Sequence, residues 1–355
     1  PLQEAAARFD RWPVPRSSAG DDAAQFAAVT LAEDAADGRV YLGLTRHVVT
    51  APDRLAVMDL NPTLAALWRR HREAGRPMRM AVAVGADPAL ILAAAIGTWR
   101  KAALNLAGAL GGVPVRLMRD ALLPAEAELV VRGMLSLEAT ARPGRLASLF
   151  GTHQDGDAWP VFQAERVLVR RDPVLHVMQA GAAGDLAEAL ALAAEALVLE
   201  HIRNIEGGLD IIDLRCPAVA AAQVVVVKLR PRLEGQAKTA LMGALSGPVN
   251  TLKLAVAVDE DVDAGDLRDV FWSIASRTHA ATDVGLIRGL RAHPLDFAAV
   301  PAGTDGARIG TRWFIDATMP PLTQGKRRED FARAIPKNLA SVELRRFLPW
   351  TEKDA

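Results

Sequence analysis

Arg46 and His47, adjacent in an apolar stretch, are the first residues in this chain to set positive charge in an apolar context. With Lys228, which follows the valine run 224–227, and Lys238, they are the cations best placed to meet an anionic ligand. A guanidinium or ammonium at a strand end is a common way to present charge to a carboxylate or phosphate. Gly85-Ala86-Asp87-Pro88 reads as a strand-to-helix turn, where backbone N–H groups can meet an anion. Neither G-x-G-x-x-G nor G-x-x-x-x-G-K is present, so no dinucleotide fingerprint or P-loop is assigned. The densest acidic group is Asp259-Glu260-Asp261 with Asp263 and Asp266. As a calcium loop it fails, because Ala264 stands where glycine is required and Val270 where the bidentate glutamate is required. It reads instead as a strand end followed by a helix with Asp263 as N-cap. The seven histidines (47, 71, 153, 176, 201, 279 and 293) form no H-E-x-x-H pair, and there is no G-x-S-x-G elbow. Cys216, the single cysteine, has no local activating motif and reads as a core residue.

Composition bounds what such residues can belong to. The chain has 355 residues, half of them hydrophobic and 24% charged, enough for two domains with a sizeable core. Lys+Arg and Asp+Glu are 42 each, so no global basic excess exists to drive nucleic-acid binding. One cysteine excludes an internal disulfide framework and suits a reducing compartment. Apolar stretches are interrupted by charges before they reach a membrane-spanning length, and no signal segment opens the sequence. The expectation is a cytoplasmic protein without a nucleic-acid or membrane partner. The hydrophobic half is mostly Ala, Leu and Val, whose small side chains favour close packing or burial shared between subunits.

The elements that must position these residues follow from periodicity. Residues 1–38 read as a short irregular lead-in. Strands are predicted at 40–49, 78–84, 113–118, 129–131 and 167–169, with helices at 62–74, from Pro88, and over 102–110. From Asp185, which forms a capping-box pattern with Glu188, the texture becomes an α/β alternation. It comprises an amphipathic helix at 186–199, the doubly buried strand 224–227, a helix at 236–245, a strand at 252–258 and a helix at 267–276. The fold class is therefore mixed α/β. Boundaries are placed at 1–38, 39–180, 181–320 and 321–355, the last a basic tail.

Several segments, in order, resemble the UbiD family of non-oxidative decarboxylases. They are Val84-Gly85-Ala86-Asp87-Pro88, Leu106-Ala107-Gly108-Ala109-Leu110-Gly111-Gly112, Pro124-Ala125-Glu126-Ala127-Glu128, Pro160-Val161-Phe162, Asp259-Glu260-Asp261-Val262 and Asp316-Ala317-Thr318. The resemblance is read over about residues 40–320, with a shortened N-terminus. It implies a split β-barrel domain of the flavin-binding type and a C-terminal α/β domain that mediates oligomerisation. It also implies carboxy-lyase activity on a small aromatic or unsaturated carboxylic acid. Prenylated flavin mononucleotide would be the cofactor, its phosphate held through a divalent metal, with an Arg and two acids at the reacting centre.

Position by position, the resemblance keeps the scaffold and loses most of that chemistry. The family's Asn-Leu-Gly-Ile-Tyr-Arg segment falls on Tyr41-Leu42-Gly43-Leu44-Thr45-Arg46, retaining the arginine as Arg46 and replacing the metal-binding asparagine with Tyr41. The segment with the metal-binding glutamate falls on Ala102-Ala103-Leu104, and the acidic loop falls on Pro143 to Ser148 with both acids replaced. The His-Arg-Gly-Gly stretch has no counterpart near Asp59-Leu60-Asn61-Pro62. A hard divalent cation needs oxygen donors that a phenol and an alanine do not supply. No divalent metal or potassium is therefore expected, and use of prenylated flavin is in question. Arg46 is the expected catalytic residue, and Arg46 with Lys228 the expected cofactor contacts; Arg145 is expected to add positive charge to the pocket. Two readings stay open. One is a decarboxylase-type enzyme with a rebuilt site. The other is a non-catalytic subunit or small-anion-binding protein on the same scaffold. A small carboxylate ligand, a dimer-based homo-oligomer and a second UbiD-like subunit are the expected partners.

Overall fold

A computed structural model describes residues 2–341 except 35, 59, 99–103, 119–121, 123, 156–157, 180–183, 206–207, 303–307, 321–326 and 338–340. The first half of the chain builds β1 (Leu2–Ala5), β2 (Gln25–Glu33), β3 (Val40–Ala51), β4 (Arg54–Met58), α1 (Pro62–Glu73), β5 (Met78–Val84), α2 (Pro88–Ile96), α3 (Leu104–Gly111), β6 (Leu129–Ala141), β7 (Leu146–Ala147), β8 (His153–Gln154) and β9 (Trp159–Arg170). Six strands run in the order β9-β4-β3-β2-β5-β6, and a β6–β9 pairing closes them into an antiparallel barrel; β1 adds to the outside of β9. Period-two alternation assigns the two faces of the barrel wall. Phe26, Tyr41, Val57, Met80, Val131 and Phe162 fill the interior, while Ala27, Leu42, Leu44, Ala83 and Leu168 face outward against helices.

The second half comprises α4 (Asp185–Arg203), β10 (Ile211–Arg215), β11 (Val224–Leu229), α5 (Gln236–Ser246), β12 (Leu254–Val258), α6 (Leu267–Arg277), α7 (Ala280–Asp283), β13 (Val284–Ala292), β14 (Val300–Pro301) and β15 (Arg308–Ala317). Its sheet runs β10-β11-β12-β15-β13, with the central β11–β12 and β12–β15 pairs parallel. The parallel centre needs cover on both faces. One side packs Val225, Val227, Ala255 and Ala257 against α4 and α5; the other packs Val226, Val256 and Val258 against α6. Helix α4 joins the two halves. Its start (Leu186, Ala187, Leu190) belongs to the core outside the barrel, and its later turns (Ala194, Leu197, Val198) belong to the sheet core.

Several local expectations are corrected. Residues 1–38 are not an irregular lead-in, because β1 and β2 lie there and β2 sits in the barrel between β3 and β5. The sequence QFAAVTLAE is buried over eight of its nine residues, and alanines at wall positions hide the alternation that marks a strand. Residues 113–118 form no strand and contribute only an isolated bridge, Leu117 to Pro124. The short strand predicted at 129–131 is the start of β6, which runs to Ala141. Helix α4 is capped by Gly184 without a side-chain bond, so the Asp185–Glu188 capping box does not form. Asp266, not Asp263, caps α6 and accepts from Arg268 N. The described tail residues 327–337 are bonded to the C-terminal domain. Arg328 bonds Asp259 (2.9 Å), Arg333 pairs with Asp269, and Arg277 donates to Phe331 O.

Candidate functional site

Arg46 lies on β3, and alternation decides what it meets. In the unbroken β2–β3 register, positions 42, 44, 46 and 48 face outward, while 41, 45, 47 and 49 face inward. Arg46 is 1% exposed, under the β7–β8 hairpin. Its Nη1 donates to Ala147 O (2.6 Å) and, at 3.5 Å, to Gln25 Oε1; its Nη2 donates to Gln154 Oε1 (3.2 Å). Asp21 bonds to two of the same groups, Gln25 and the Ala147 peptide. It accepts from Gln25 Nε2 (3.0 Å), Ala147 N (2.6 Å), Ser18 N (3.1 Å) and Ser18 Oγ (3.0 Å). Gln25 and the Ala147 peptide thus link a buried guanidinium to a buried carboxylate. Burial alone would raise the Asp21 pKa, but these donors outweigh it and hold the group below the usual aspartate value. Ser18 Oγ also lies 2.8 Å from His153 Nε2. Because the hydroxyl donates to Asp21, His153 is the donor in that contact.

Tyr41 points the other way. It is 1% exposed in the barrel interior with Phe9, Phe26 and Met80, so positions 41 and 46 do not share a site. The interior also holds a small polar network. Thr45 Oγ1 lies 2.5 Å from Thr30 Oγ1 and 2.9 Å from His47 Nε2. His47 is fully buried beside the Phe26 ring (centroids 5.3 Å apart), its Nδ1 has no hydrogen-bond partner among the described residues, and burial lowers its pKa to about 3.

The other expected positions scatter. Ala102 and Ala103 lie outside the described residues, as does Asp59; Leu104 opens α3. Ser148 is buried with its hydroxyl 2.8 Å from Thr152 Oγ1. Arg145 is exposed rather than inward-facing, because the turn at Gly144 (φ +85°) packs its backbone on Asp22 and leaves the side chain outside. Lys228 lies on β11 in the other domain, with Asp213 and Val258 as register neighbours, and is not brought to Arg46. Lys238 donates to Thr282 O (2.9 Å). Among the described residues, no group of three His, Cys, Asp or Glu is arranged to hold a metal. Cys216 is buried in the sheet core, which raises its thiol pKa.

Sequence reading did not identify Asp21, Gln25, Ser18, His153 and Gln154 as the companions of Arg46. Three of them fall in the presumed lead-in, and the contacts span up to 135 positions, so no local spacing marks them. Where Phe150 meets the C-terminal domain, edge-on to His293 (5.1 Å), the cavity measures about 20 Å³, room for a water. A larger cavity, about 750 Å³, opens at the start of α2; neither Arg46 nor Tyr41 lines it.

Comparison with known proteins places this architecture. Residues 1–183 match the family model described as the 3-octaprenyl-4-hydroxybenzoate carboxy-lyase Rift-related domain, and residues 189–317 match the C-terminal domain of the same carboxy-lyase. The match therefore starts at residue 1, forty residues earlier than the motifs suggested. Among solved structures, the UbiD-class enzyme HmfF from Pelotomaculum thermopropionicum, in complex with FMN, is 26% identical with a TM-score of 0.84; 98% of this chain and 77% of that chain are covered. The 3,4-dihydroxybenzoic acid decarboxylase AroY of Klebsiella pneumoniae shares the fold at 23% identity and TM-score 0.80, over 97% and 74% of the two chains. The vanillic acid decarboxylase ShVdcCD of Sedimentibacter hydroxybenzoicus shares it at 20% identity and TM-score 0.76, over 96% and 73%. With a barrel domain, a C-terminal α/β domain and two consecutive family matches spanning both, this chain belongs to the UbiD family of carboxy-lyases.

Proposed function

We propose that this chain is a non-catalytic member of the UbiD family, a structural or assembly subunit whose decarboxylation centre is not put together. The observation that carries this reading is the state of Arg46. Its guanidinium is buried under β7–β8 and donates to Ala147 O, Gln154 and Gln25, so it serves to fasten the hairpin. A residue that must meet a substrate carboxylate needs donors directed into open space.

Prenylated flavin does not fit these residues. Tyr41 faces the barrel interior among aromatic and methionine side chains, so its phenol is turned away from Arg46. Ser148 and Pro143 supply no acid, and the buried carboxylate Asp21 is held ionised by four donors. An ionised carboxylate cannot deliver the proton that decarboxylation requires. No step is therefore assigned to the cofactor here.

Solved relatives include an evolved dimeric form of HmfF and the VdcCD complex. We accordingly place this chain in a dimer-based homo-oligomer or beside a second UbiD-type chain. A rebuilt enzyme site is the second reading; the Asp21–Ser18–His153 chain of hydrogen bonds beside Arg46 favours it. Release of CO2 from a panel of aromatic and α,β-unsaturated acids, assayed after co-expression with a flavin prenyltransferase, separates the two. No turnover is expected. Turnover abolished by His153→Ala would establish the rebuilt enzyme.

A further inference from the structure

The 750 Å³ cavity lies at the far end of the α2–α3 hairpin from the family's metal-bearing segment, which aligns with 102–104 at the start of α3. Its walls come from the first turn of α2 (Ala89, Leu90), the end of α3 (Ala107, Gly111) and the segment 113–115. These side chains are small, and the space they leave has the size of a pocket for an organic molecule. A neighbouring cavity of about 410 Å³ is also lined by Val113-Pro114-Val115. Val113 on the wall of the larger cavity is 67% exposed, and the charged residues of its lining, Asp87, Arg116 and Glu126, stand at the edge.

Charge at the site is already engaged. The Asp87 carboxylate accepts from Ala89 N (2.8 Å) as the cap of α2, and Arg116 is paired with Glu126 on the rim. Arg170 donates to Ala127 O and Glu126 O. A charged ligand would have to break one of these pairs to be neutralised, whereas an apolar one covers exposed hydrocarbon without that cost. We propose that this cavity binds an uncharged apolar small molecule of about one or two rings, or the equivalent length of acyl chain, independently of whether the chain catalyses decarboxylation.

The test titrates the full chain with Nile red as the uncharged probe and with anilinonaphthalene sulfonate as an anionic one. One saturable Nile red site is expected, with blue-shifted emission that the anionic probe does not displace. Val113→Asp, which puts a charge at an exposed mouth position, and Ala89→Trp, which fills the floor, are each expected to weaken Nile red at least about tenfold, 1.4 kcal/mol. Phe271→Ser, which removes an exposed aromatic on α6, is expected to leave binding unchanged. If Ala89→Trp does not fold, Val113→Asp decides alone. Absence of a saturable site, unchanged binding in Val113→Asp, equal weakening by Phe271→Ser, or displacement by the anionic probe would each overturn the proposal.

Discussion

His47 is expected to make the barrel acid-sensitive, and the size of the effect follows from its burial. Its ring is enclosed by the barrel, Nε2 is engaged by Thr45 and Thr30, and Nδ1 has no hydrogen-bond partner among the described residues. Burial holds the folded pKa at about 3, against 6.5 for the free side chain. The unfolded chain therefore takes up this proton below pH 6.5 while the folded chain does not. The contribution to stability is complete above pH 6.5 and is lost progressively as pH falls towards 3. At about 1.4 kcal/mol per pH unit, the loss is about 2 kcal/mol at pH 5 and about 5 kcal/mol by pH 3. Other groups titrate over the same range, so the assay is a double difference. Urea unfolding of the native chain and of His47→Met is measured at pH 7.5 and pH 5. The native chain is expected to lose about 2 kcal/mol more than the variant between the two pH values. Equal losses, or a greater loss in the variant, would refute the assignment of a neutral, buried imidazole.

Three further outcomes follow from the same packing. Arg46→Ala strands the buried Gln154 side chain and Ala147 carbonyl, so urea unfolding should show a loss of about 2–4 kcal/mol. Asn61→Ala removes the α1 cap to Leu64 N and the bond to Leu42 O; calorimetry should show a loss of about 1–2 kcal/mol. Arg328→Ala should free the segment 327–337 from Asp259 and expose it to limited proteolysis while the barrel domain stays intact.

The main helices of both domains and two strands of the parallel sheet, β11 and β12, were legible because their signals are local, whereas β15 was not read. Asp87-Pro88 capped α2, and the run Val224–Val227 marked a strand covered on both faces. The barrel's second strand was not, since Ala27, Ala28 and Ala32 replace the larger residues that reveal alternation. The surroundings of Arg46 were out of reach for a different reason. Its partners come from positions 25, 147 and 154, and only barrel closure brings them together. The family resemblance singled out Arg46, but motif spacing says nothing of the face on which a residue lands. Positions 41 and 46 are five apart, an odd separation, and an unbroken strand sets them on opposite sides of its sheet.

In the proposed reading this chain does not assemble the family's cofactor centre. The most direct measurement is the bound flavin and metal content of the full chain purified after co-expression with a flavin prenyltransferase, read by visible absorbance and elemental analysis. A protein absorbing only in the ultraviolet, without stoichiometric divalent metal, is expected. One equivalent of prenylated flavin with one of metal would contradict that reading.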